Sequence, residues 1–86
     1  MDSTSNALKS ETEKWLSRLE SARSSIKILE GSKELKAVLK NIDAYIKDTR
    51  HFLEKKDFIR AFEAVVYAWG LLEACEHLGL LECVKQ

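Results

Sequence analysis

The chain has 86 residues, enough for one domain and not two. Hydrophobic residues at 45% and charged residues at 33% describe a globular chain and exclude a disordered one. Fourteen Lys and Arg balance fourteen Asp and Glu, which removes the basic excess of a dedicated nucleic-acid binder, and two Cys with two His are too few for a disulfide scaffold or a Cys/His zinc site.

Residues 1–4 are expected to fray. The opening Met1-Asp2-Ser3-Thr4-Ser5-Asn6 lacks the basic and apolar regions of an export signal. A first helix is predicted over 5–30, where Leu8, Thr12, Trp15, Leu19, Ala22, Ile26 and Leu29 recur at alternating steps of three and four. Gly31 ends it, and Ser32 is a good N-cap for a second helix over 33–55. Its stripe is Leu35, Val38, Leu39, Ile42, Tyr45, Ile46, Thr49, Phe52 and Leu53. Asp57 caps a third helix over 58–78, with a core face of Phe58, Ala61, Phe62, Val65, Ala68, Trp69 and Leu72. Gly79 closes that helix with Leu80 behind it, and 80–86 form a short C-terminal tail. With no proline and no strand-like alternation, the fold is all-α. Short loops between helices of similar length make neighbours antiparallel, so residues 1–86 form a single up-down-up three-helix bundle.

Charge is unevenly shared. Residues 1–31 carry five basic and five acidic groups, 32–56 carry seven and four, and 57–86 carry two and five. Lys33, Lys36, Lys40 and Lys47 fall within about a 60° arc on the outer side of the second helix. Such a stripe can track phosphates, but without an arginine for bidentate contacts or an interleaved aromatic for base stacking it reads first as a solvated face. Weak nucleic-acid binding through it is the alternative function.

The third helix is apolar around about two-thirds of its circumference. Opposite its core face lies a second seam of Ala64, Tyr67, Leu71, Ala74, Cys75 and Leu78. Either this helix touches both others over a wide arc, or the seam buries against another chain. The second reading makes these six residues an interface for a homodimer or another protein. Gly70 costs about 1 kcal/mol against alanine in mid-helix, which the close approach of another backbone would offset.

Catalytic chemistry is not expected. His51 and His77 belong to no metal-ligand cluster, and Ile46 and Leu72 stand where an Arg-x4-His ribonuclease signature needs arginine. Cys75, Glu76 and His77 are consecutive and project in different directions. Glu73 and Glu76 lie one turn apart, as surface carboxylates routinely do. There is no Gly-rich phosphate loop, and no cofactor or metal is expected. The longest uncharged run, nine residues from Ala64 to Leu72, falls far short of a membrane span, so no membrane partner is expected and the protein reads as cytoplasmic. The two cysteines are then free thiols, with a short-range bridge left open until their geometry is known.

The second helical hairpin carries two resemblances. Phe52, Ala61, Val65 and Ala68, with the turn Lys56-Asp57-Phe58, resemble the packing positions of one tetratricopeptide repeat, although Thr49 replaces a glycine and there is one copy where arrays need about three. The stretch Phe52-Leu53-Glu54-Lys55-Lys56-Asp57-Phe58, then Ala61-Phe62-Glu63-Ala64, Tyr67-Ala68-Trp69-Gly70-Leu71-Leu72-Glu73-Ala74 and Gly79-Leu80-Leu81, resembles the short archaeal proteins of the DUF357 family. That resemblance spans roughly 40–81, with Lys56 and Glu73 where glycine and aspartate are more usual. It implies a three-helix fold and an archaeal, cytoplasmic setting, and it supplies no catalytic residues. The function expected is a non-catalytic interaction or self-association module using the third helix.

Overall fold

The computed structural model describes residues 3–84. Three helices form: α1 (Ser3–Ser24), α2 (Lys33–Glu54) and α3 (Phe58–His77). The all-α three-helix reading holds, and α2 and α3 fall within a residue of their expected ends. Ser3 and Thr4 are helical, while residues 1–2 and 85–86, included in the expected frayed start and tail, lie outside the described residues.

Local chemistry explains the clean ends of α2 and α3. The Ser32 hydroxyl accepts from the Leu35 amide at 3.1 Å, and the Asp57 carboxylate accepts from the Arg60 amide at 3.2 Å. Gly79, at φ 74°, closes α3 in a Schellman motif: its amide donates to the Glu76 carbonyl, and the Leu80 amide to the Cys75 carbonyl, both at 3.0 Å. The end of α2 has the same form. Lys56 takes the left-handed position at φ 60°, its amide donating to Leu53, while the Asp57 amide donates to Phe52.

The first helix corrects the expectation of 5–30 by stopping at Ser24. The hydroxyls of Ser24 and Ser25 turn back onto the Ser21 carbonyl at 2.9 and 3.1 Å, competing for acceptors that a continuing helix would use. The next three residues form β1 (Ile26–Ile28), which pairs antiparallel with β2 (Leu81–Cys83) in the register Ile26↔Cys83, Lys27↔Glu82, Ile28↔Leu81. The expected tail is thus a structural strand. In Ile26-Lys27-Ile28 the alternation of a short strand coincides with a helical spacing, and only the partner some 55 residues away decides between them.

α3 is the shared element. It packs along α2 on one side and α1 on the other, while α1 and α2 meet each other far less. The molecule is elongated, 45 × 23 × 17 Å. The core holds Leu16, Leu19 and Ala22 of α1, Leu35, Leu39, Ile42 and Ile46 of α2, and Val65, Ala68, Leu72 and Cys75 of α3, with Leu81 of β2 closing one end. Thr12 and Thr49 are fully buried, and each hydroxyl donates at 2.7 Å to the carbonyl one turn back, Leu8 and Tyr45 respectively. On α1 the buried seam runs through Leu16, with Trp15 turned to the edge.

Candidate docking groove

The apolar seam expected on α3 divides in two. Ala64 and Cys75 are buried inside the chain and Leu71 is half-buried against the core, so these three serve intramolecular packing. This corrects their expected place on an outer interface: α1 and α2 both lean on α3 and cover them. Tyr67, Ala74 and Leu78 remain exposed, Leu78 by 73%. Tyr67 sets its ring edge against Tyr45 of α2, centroids 4.8 Å apart.

A different apolar surface is left open. At 100° per residue Ile59, Val66 and Gly70 share one face of α3, and Ile59 and Val66 are 66% and 48% exposed. Val66 and Gly70 line a groove of about 600 Å³ between α3 and α1, together with Phe62, Trp69 and Trp15. Its walls are fixed by a specific contact. The rings of Trp15 and Trp69 meet edge to face with centroids 6.0 Å apart, and the Trp69 indole N–H donates to the Trp15 carbonyl at 3.0 Å. Arg18 and Glu73 complete the rim. The Arg18 guanidinium lies 5.7 Å from the Trp15 ring centroid. Outside its own helix backbone and chain neighbours, nothing lies within 4 Å of the position a Cβ would take at Gly70. No backbone of this chain approaches there, so packing within the chain does not explain the glycine; its missing side chain leaves a notch on an open face.

Sequence reasoning placed Trp69 and Phe62 in the core and did not single out Val66 or Ile59. The signal was present in the Ile59, Phe62, Val66, Gly70 spacing of threes and fours, a third apolar row on a helix already carrying two.

The lysine stripe lies on α2, away from the α1–α3 groove. Lys33, Lys36, Lys40 and Lys47 are all exposed. Lys40 and Lys47 flank Asp43 in a groove of about 590 Å³ between α2 and α1. Arginines do join them: Arg23 and Arg50 line the same groove. Both are engaged across the helices, Arg23 gripping Asp43 with two bonds of 2.9 and 3.0 Å and Arg50 pairing with Glu20.

Glu73 and Glu76 both face a third cavity, of about 520 Å³, with Arg18 and Cys83. Cys75 and Cys83 are free thiols. Burial pushes both thiols above the ordinary cysteine range, and the Glu76 carboxylate, which accepts from the Cys83 amide at 3.4 Å, pushes Cys83 further. Raised thiols are poor nucleophiles. Among the described residues no helix is long and apolar enough to cross a membrane.

Residues 14–81 match the family described as Protein of unknown function (DUF357). The chain also superimposes on the crystal structure of protein AF1782 from Archaeoglobus fulgidus, itself assigned to DUF357, with a TM-score of 0.82 and 43% sequence identity, over 95% of this chain and 100% of that one. No curated protein matches. Matched over most of its length, with the three-helix form and the hairpin motif in place, the chain belongs to the DUF357 family.

Proposed function

We propose that this protein is a non-catalytic protein-interaction module whose docking surface is the groove between α1 and α3. The observation that carries this reading is the open apolar face around Gly70: Val66 is 48% exposed, Trp15 is 36% exposed across the same groove, and a mid-helix glycine there stabilises nothing within the chain. Fixed aromatic walls with an oppositely charged rim suit a protein partner, because aromatic anchors in a preformed groove lose little freedom on binding. Raised thiols and carboxylates placed as ordinary helix-surface pairs support the non-catalytic part.

The test is affinity capture from native cells with the wild-type chain and with Val66→Asp, alongside far-UV circular dichroism. The expected result is a partner held by the wild type and lost from a variant with unchanged helicity. Capture of the same set by both chains overturns the reading.

A further inference from the structure

We propose that the groove between α1 and α3 receives a second copy of this chain, the two copies related by a two-fold axis running along the helices, so that α1 of each lies over α3 of the other. This rests on the docking role above and names the partner.

Two features of the groove are matched in height. Trp15 on α1 touches Trp69 on α3 and lines the same groove as Gly70, the next residue, which puts Trp15 and Gly70 close in height on the two walls. A two-fold axis along the groove exchanges the two walls without shifting them lengthwise. It therefore carries the part-exposed indole of Trp15 to Gly70 of the second copy, where no side chain or neighbouring group fills the Cβ position. The relation is a knob against a hole, made twice.

Charge follows the same operator. Arg18 lies one turn beyond Trp15 on α1, and Glu73 one turn beyond Gly70 on α3. Both line the groove, and neither forms an ion pair among the described residues. The exchange of walls places Arg18 opposite Glu73 of the second copy, again twice. An interface between identical surfaces must be self-complementary. A groove with a cation on one wall and an anion at the same height on the other meets that condition, whereas a partner of uniform charge would leave one wall facing a like charge.

Sedimentation velocity from about 1 µM to about 1 mM tests the proposal. The wild type is expected to pass from monomer to dimer. Arg18→Glu and Glu73→Arg should each weaken association by about tenfold or more, since each places like charges face to face on both sides of the axis. An equimolar mixture of these two variants should associate again as a heterodimer, because every acid then faces a base. Pairing within one chain cannot produce that rescue. Gly70→Leu should fill the hole and abolish the dimer with helicity retained. A wild type that stays monomeric at about 1 mM, or a mixture that fails to restore what each variant lost, overturns the proposal. A monomer that still captures a different protein through Val66 overturns it too, while leaving the docking role standing.

Discussion

The indole N–H of Trp69 donates to the backbone carbonyl of Trp15, so the ring of one helix is fastened to the main chain of another across 54 residues of sequence. The two tryptophans therefore do different work. Trp69 supplies both a half-buried ring and the bond, whereas Trp15 supplies an acceptor that any residue would carry. Trp69→Phe is expected to cost about 1–2 kcal/mol, from the lost hydrogen bond and lost packing. Trp15→Phe keeps the carbonyl and should cost less. Thermal unfolding of both variants checks this, and equal losses would show that the bond contributes nothing.

Lys56 is the one described non-glycine residue with a positive φ, and it occupies the position where a Schellman ending favours glycine. A side chain there costs about 1–2 kcal/mol in backbone strain, partly offset by the greater freedom glycine brings to the unfolded chain. Lys56→Gly is therefore expected to raise stability by about 0.5–1 kcal/mol, read as a higher urea midpoint with an unchanged slope. A lower midpoint would mean that the lysine side chain holds the turn by other means.

The limits of sequence reading trace to the range of the forces involved. Ser32, Asp57 and Gly79 mark helix ends because each acts on backbone groups within a few residues, and all three hold those positions. Phe58, Val65 and Leu72 were legible as core from spacing alone, and they are buried. The end of α1 was not legible. Ile26 continues the helical pattern of Leu19 and Ala22, and only pairing with Cys83 turns it into a strand. The docking face was hidden for a related reason. Spacing alone puts Ala64 on the second apolar seam of α3 and leaves Val66 outside both seams. The fold buries Ala64 and leaves Val66 half-exposed over the groove.

Leu81 shows what β2 contributes. It is 1% exposed, joins the core cluster, and pairs through its backbone with Ile28. Leu81→Ala is expected to destabilise the protein by about 2–4 kcal/mol, the cost of an emptied leucine site. Val84, 60% exposed, should tolerate alanine within about 0.5 kcal/mol. Chemical denaturation of the pair separates a structural strand from a dispensable tail: similar midpoints would return residues 81–84 to the status of a tail.

The two thiols are expected to weaken stability at alkaline pH. Burial holds the Cys75 proton more tightly in the folded chain than in the unfolded one, and at Cys83 burial is reinforced by the negative charge of Glu76. A group whose pKa is raised by folding contributes its stabilisation fully below its unfolded value. It loses that contribution as pH climbs through the folded value, because the unfolded thiolate is by then already formed. With an ordinary thiol near pH 8.5, the melting temperature should begin to fall above about that pH. Glu76→Gln should soften the fall by removing the charge that acts on Cys83. Replacing both cysteines, Cys75→Ala with Cys83→Ser, should flatten the profile between about pH 8 and 9.5. A profile equally steep in the cysteine-free chain would assign the alkaline loss to other groups and remove the thiols from the pH response.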